Sequence, residues 1–193
     1  MRVIKSLTRA ENIPGTVFSK EKMGGVTGLE FLNKVFYITD GIMLAQIREI
    51  TGIDGTTLQN WLKRGWVQSP TKKAYNKEQL ARILIINMLR DTMQLSKIIG
   101  LLTYVNGTDP EDGIIEESLL YDFICKVLAA ISDPESDGVH GIDEAIDDVL
   151  ADYSERTGGA KRRIERVITV IVISYYSGML KSRTEDMMDR LSK

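Results

Sequence analysis

The chain has 193 residues, 43% of them hydrophobic and 27% charged, with a formal net charge of −2, the balance of a globular protein built as one ordinary domain or a small domain with a helical appendage. No run reaches the roughly 18–20 apolar residues of a membrane span, and Met1 to Leu7 is not followed by the apolar stretch of a signal peptide. A single cysteine, Cys125, and a single histidine, His140, exclude an internal disulfide and an ordinary Cys/His zinc site, and a cytoplasmic location is expected.

The net charge conceals a segregation. Residues 1–108 carry 15 Lys or Arg against 8 Asp or Glu, residues 109–155 carry 1 against 15, and residues 156–193 carry 9 against 4. A surface that meets nucleic acid must be locally basic whatever the sum over the chain, which directs attention to the first segment. Solvated helical faces can segregate charge in the same way, so charge alone does not choose.

Residues 1–38 read as an N-terminal arm and a lead-in helix. Residues 1–27, with Pro14 and Gly24-Gly25, show little periodicity, whereas Leu29, Leu32, Val35 and Phe36 recur at helical spacing. A second unit is expected over 39–107. Its first helix places Met43, Leu44, Ile47 and Ile50 on one face and stops at Gly52. Asp54 is a natural N-cap for a helix over about 55–64, in which Leu58, Trp61 and Leu62 share one side. Thr56, Gln59, Asn60 and Lys63 then face the other way, with Thr57 and Arg64 at the margins. The stretch from Trp66 to Tyr75, interrupted by Pro70, suits two short β segments joined by a turn with Lys72 and Lys73. Asn76 opens a long helix with Gln79 as its capping-box partner. Apolar residues wrap that helix from Leu80 to Leu89, so it should be central, and Asn87 should need a polar partner. A further helix carries Leu95, Ile98, Leu102 and Val105 as far as Asn106-Gly107.

Residues 108–193 read as a helical dimerisation or effector region. Asp109-Pro110 has the form of a helix start, with a core face of Leu119, Leu120, Phe123, Ile124, Val127, Leu128 and Ile131. A loop over 133–141 precedes an amphipathic helix from Ile142 to Tyr153 with an acidic outer face, and Gly158-Gly159 separates it from residues 160–191. Val167 to Ile173, six β-branched aliphatics plus Thr169, fits a buried strand or a helix; helical flanks and the lack of partner strands favour the helix. Apolar residues on all its sides demand burial within the bundle or against a second subunit.

Helix, glycine turn, helix, short β-ribbon, helix, helix is the order of a winged helix-turn-helix. The run from Leu44 to Tyr75, with Thr51-Gly52-Ile53-Asp54, Thr57-Leu58, Trp61, Arg64-Gly65-Trp66-Val67, Pro70 and Lys73-Ala74-Tyr75, resembles the MerR-type DNA-binding domain. The resemblance continues through Asn76-Lys77-Glu78-Gln79-Leu80 and Leu95-Ser96-Lys97-Ile98. Over 38–128 the chain is more closely similar to a group of uncharacterised proteins from Gram-positive bacteria with a MerR-like head and a helical tail. Gln59 and Asn60 depart from that pattern, standing where an arginine and an aromatic are usual, and Arg48 stands where alanine is usual. The resemblance implies a mainly α fold, a winged helix-turn-helix with a small β-ribbon wing followed by a helical C-terminal bundle, and a DNA-binding transcriptional regulator.

The residue chemistry points the same way. Gln59 and Asn60 can each present a donor and an acceptor together, matching N6 and N7 of adenine in the major groove. Lys63 and Arg64 can reach phosphates or guanine, and Lys72 and Lys73 on the wing can reach the flanking backbone. The expected DNA-contacting set is Thr56, Thr57, Gln59, Asn60, Lys63, Arg64, Lys72, Lys73 and Tyr75, the last either packing beneath the wing or meeting a phosphate. On residue identity alone, Gln59, Asn60 and Lys63 also fit the solvated face of a small helix; the surrounding architecture favours DNA contact.

Trp61 and Trp66 read as packing groups rather than ligand-stacking ones, Cys125 as a small core residue, and His140 as a surface residue. Glu116-Glu117 and Asp147-Asp148 read as solvated pairs on polar helix faces. Without a glycine-rich phosphate loop, nucleophile motif or metal cluster, no enzyme activity, metal or cofactor is expected. The expected partners are double-stranded DNA, a second copy bound through the C-terminal helices (residues 160–185), and an unidentified effector. The alternative is a protein-interaction module that retains the winged-helix shape without binding DNA.

Overall fold

A computed structural model describes residues 11–107, 113–133, 138–155 and 157–191. Asp109-Pro110, expected to start a helix, lies outside them, as do residues 1–10 of the expected arm. Among the described residues the fold is all-α, consisting of α1 (Gly28–Val35), α2 (Leu44–Thr51), α3 (Gly55–Lys63), α4 (Lys77–Leu89), α5 (Leu95–Asn106), α6 (Glu117–Ile131), a 3₁₀ turn at Gly138–Gly141, α7 (Ile142–Val149) and α8 (Ala160–Leu191). Among the described residues no helix is long and apolar enough to cross a membrane.

α4 and α6 form the centre. α4 buries Leu80, Ala81, Ile83, Leu84, Ile85, Ile86, Met88 and Leu89 all round its axis, and packs on α2, α5, α6 and α8. Its start is closed by the expected capping box: Asn76 Oδ1 accepts from the Gln79 amide and Gln79 Oε1 from the Asn76 amide, both at 2.9 Å. α6 packs on α1, α4, α7 and α8. Asp122 of α6 also completes α1, its Oδ1 accepting from the Leu29 amide at 2.8 Å while Lys126 pairs with its other oxygen at 2.8 Å. A cap supplied from another helix answers a free N–H that Thr27, which makes no side-chain cap bond, leaves unmet.

The segment 11–27 is irregular, as its composition suggests, yet it is part of the core. Ile13 is fully buried, the Tyr121 hydroxyl donates to Pro14 O at 2.7 Å, and the Val17 amide donates to Ile50 O at 2.9 Å. Asn87 finds its partners here: Nδ2 donates to Gly15 O at 2.9 Å and to Thr51 O at 3.0 Å. One amide thus ties α4 to the N-terminal segment and to the end of α2.

The β-ribbon wing expected from the sequence is absent: over the expected wing the described residues contain only isolated bridges, Thr71 with Ala74 and Tyr75 with Ile42, and a third bridge, Asn12 with Ser19, lies in the N-terminal segment; none belongs to a strand. The reason is where the backbone groups go. The carbonyls of Gln68 and Ser69 accept from Gln79 Nε2 of α4 at 3.0 and 3.2 Å, and Pro70 has no N–H to offer a ladder. What remains is a single tight turn, closed by the Ala74 amide on Thr71 O at 2.9 Å. The expected winged helix-turn-helix with a β wing is therefore corrected to an all-α fold.

The last segment, 160–191, is one helix about 48 Å long. Val167 to Ile173 lies within it, so these β-branched residues are helical, their strand propensity overridden by packing against α4, α5 and α6.

Candidate nucleic-acid interface

α2, a three-residue turn and α3 form a helix-turn-helix. Gly52 holds φ 70°, and its amide closes α2 on Arg48 O at 2.8 Å; a left-handed residue at this point suits glycine. Thr51 Oγ1 donates to Ile47 O at 2.7 Å and accepts from the Ile53 amide at 3.2 Å, setting the turn's path. Ile47, Ile50, Ile53, Leu58 and Trp61 are buried in the core, and α2 packs on α4. Asp54 caps α3: Oδ1 accepts from the Thr57 amide at 2.9 Å and Oδ2 from the Thr57 hydroxyl at 2.5 Å. These two bonds hold the Asp54 carboxyl below its usual range.

With Leu58 and Trp61 turned inward, Thr56, Gln59, Asn60 and Lys63 are exposed together. Thr57 is half-buried, its hydroxyl engaged by the cap. α3 spans nine residues, about 13 Å, comparable to a major groove roughly 12 Å wide. Arg64 lies over Trp66, its guanidinium carbon 5.0 Å from the ring centroid, so its charge is held beside the end of α3 by a cation–π contact.

Lys72 and Lys73 occupy the tip of the tight turn with φ 49° and 65°, both exposed. Positive φ at both central residues is the geometry of a type I′ turn. Tyr75 is 3% exposed and bonded through its backbone to Ile42. Of its two expected roles it therefore takes the packing one, and leaves the surface set.

Arg48, a departure from the resembled pattern, is not among the expected contacting residues. It is exposed, and its Cδ lies 3.9 Å from where a β-carbon on Gly55 would stand. That is an ordinary contact distance, so the Arg48 side chain lies alongside the start of α3 without needing a glycine there.

A buried ion pair supports the site from behind. Arg82 of α4 donates through Nε to Trp66 O at 2.6 Å and through Nη1 to Glu117 Oε1 of α6 at 2.5 Å. Glu117 is corrected from the solvated pair expected with Glu116: its side chain is 12% exposed. Burial pushes its carboxyl above the usual range, with Arg82 and the Asn106 amide pulling the other way. Next to it, Glu78 accepts from the Ser118 amide at the start of α6 at 2.8 Å. Among the described residues, the helices of the acidic segment, α6 and α7, have their main packings with α1, α4, α8 and each other.

Residues 29–124 match the family model described as Domain of unknown function (DUF1836). No curated protein and no solved structure matches the chain. The match spans α1 to the middle of α6, so it takes in the helix-turn-helix together with α4, α5 and the first half of α6. With the β wing missing and this family matched in its place, the MerR-type resemblance is corrected.

Proposed function

We propose that the protein binds double-stranded DNA in a sequence-dependent way through the exposed face of α3 and acts in the cytoplasm as a transcriptional regulator. The observation that carries this reading is the exposed polar face of α3. Gln59 and Asn60 stand exposed on a capped helix with Lys63 and Arg64 at its end, and Lys72 and Lys73 are exposed at the tip of the turn that follows in the chain. The two amides would read base edges, and the four cations would hold phosphates without reading sequence. Arg48, exposed on α2, joins them as a fifth cation.

The reading is tested with a panel of selected duplexes. Gln59→Ala with Asn60→Ala is expected to weaken binding to the preferred sequence by about 10-fold or more, one lost base contact's worth, while non-specific binding holds. Equal losses on all sequences would argue against base readout. The wild-type affinity should also fall steeply with salt, as release of phosphate counterions requires; no retention of DNA at low salt sinks the proposal. One observation favours the protein-binding alternative: Tyr37 and Ile38, adjacent after α1, are 86% and 89% exposed, a pair of large apolar side chains with the character of a partner contact.

A further inference from the structure

The C-terminal helix divides lengthwise into two apolar faces. Ile164, Val167, Ile168, Ile171, Val172 and Tyr176 are buried on the side that meets α4, α5, α6 and α7. On the opposite side Val170, Ile173, Leu180, Met187 and Leu191 are 40%, 48%, 41%, 50% and 82% exposed. With Ser177 and Thr184 included, this second set advances along the chain by three and four residues in unbroken alternation from Val170 to Leu191. That alternation is the a and d seam of a coiled coil, the pattern a helix carries when its partner is another helix. The seam runs about 33 Å, well past Tyr176, the last residue of the buried face.

We infer that α8 pairs in parallel and in register with α8 of a second copy of this chain, along the seam Val170–Ile173–Ser177–Leu180–Thr184–Met187–Leu191. The polar positions select the occupant. In a parallel, in-register pair each a residue meets its own copy, so Ser177 faces Ser177 and Thr184 faces Thr184, while Ile173, Leu180 and Met187 meet as apolar pairs. An antiparallel pair sets a against d and faces the small polar Ser177 and Thr184 with large apolar side chains, breaking the match of like layers. Charge selects the same way. One flank of the seam carries Ser174, Lys181 and Met188, the other Tyr176, Arg183 and Arg190. Parallel pairing sets unlike flanks together, with Met188 against Arg183 and Lys181 against the flank where Tyr176 is turned into the protomer's own core. Antiparallel pairing sets lysine on lysine and arginine on arginine. A closed two-fold pair uses the seam once on each copy and leaves none for further growth.

The inference stands apart from what α3 binds. Sedimentation equilibrium of the full chain from low to high micromolar concentration is expected to show twice the 21.7 kDa protomer mass. Leu180→Glu with Met187→Glu should return it to 21.7 kDa with unchanged far-ultraviolet circular dichroism, since both side chains are already exposed in the protomer. Ser177→Cys and Thr184→Cys, made singly and oxidised, should each form a disulfide-linked pair, with Cys125 buried and out of reach. A protomer mass at every concentration, or a dimer that survives the two glutamates, overturns the pairing. A dimer in which neither new cysteine cross-links overturns the parallel register. Loss of DNA binding through Gln59 and Asn60 should leave the mass unchanged.

Discussion

Two consecutive lysines with left-handed backbone are an uncommon choice for a tight turn, because type I′ positions favour Asn and Gly. At Lys72 and Lys73 each β-carbon adds a steric cost of roughly 1–2 kcal/mol relative to glycine. Exposed cations kept at such positions fit a role in binding rather than in stability. Lys72→Asn with Lys73→Gly is therefore expected to raise the unfolding free energy by about 1–2 kcal/mol. The same variant should bind DNA more weakly, its dependence of log affinity on log salt shallower by about 2. Denaturant titration and a salt series read the two effects separately.

Glu117 is the residue whose environment departs most from its sequence surroundings. Arg82→Leu leaves a buried carboxylate without its cation and should destabilise the fold by about 3–5 kcal/mol, with Arg82→Leu plus Glu117→Leu recovering part of the loss. The carboxyl's pKa is raised in the folded state, so protons bind the folded form more tightly than the unfolded one. Its contribution to stability is complete below the unfolded value and is lost as pH rises through the folded one. Glu117→Gln removes that dependence, so its destabilisation relative to wild type should be larger near pH 4 than near pH 7. A pH-independent difference would contradict the assignment.

At the scale of elements, short helices here depend on caps that come from different distances. α3 is capped by its neighbour Asp54, a local arrangement legible in the sequence. Because Thr57 stabilises the ionised carboxyl, this cap holds above the usual carboxylate range and is lost as pH falls through the lowered value. Asp54→Ala should speed amide exchange in the first turn of α3 and leave α4 protected. α1 is capped by Asp122, 93 residues away, and no local pattern announces that bond. Asp122→Ala is expected to cost about 1–2 kcal/mol, with amide exchange raised at Leu29. The β wing fails for a comparable reason: Gln79, read correctly as a capping residue, also takes the carbonyls of Gln68 and Ser69. Alternation in the sequence cannot show that a side chain has claimed them.

At the scale of the molecule, one hydrophobic cluster runs from Ile13 through α4 and α6 to Tyr176. The helix-turn-helix rests on α4, and α4 rests on α6. A fragment 39–107 keeps α4 but strips away α6 and α8, uncovering apolar flanks of a helix built for burial on every side. Such a fragment should lack the cooperative thermal transition of the full chain; a sharp transition in the fragment would show that the head folds alone.

What the chain determines by itself is local. Periodicity places the helices, including α8 through a run of β-branched residues. Asp54, Asn76 and Gly52 mark ends that form where they stand, and burying Leu58 and Trp61 obliges Gln59 and Asn60 to face outward. The tertiary structure decides what depends on contacts distant in sequence. It sets Glu117 against Arg82, sends Tyr75 inward, folds the N-terminal segment into the core, and replaces a wing with a turn. It also separates the two apolar faces of α8, because a seven-residue repeat becomes visible as a seam once the neighbouring helices have covered the other side.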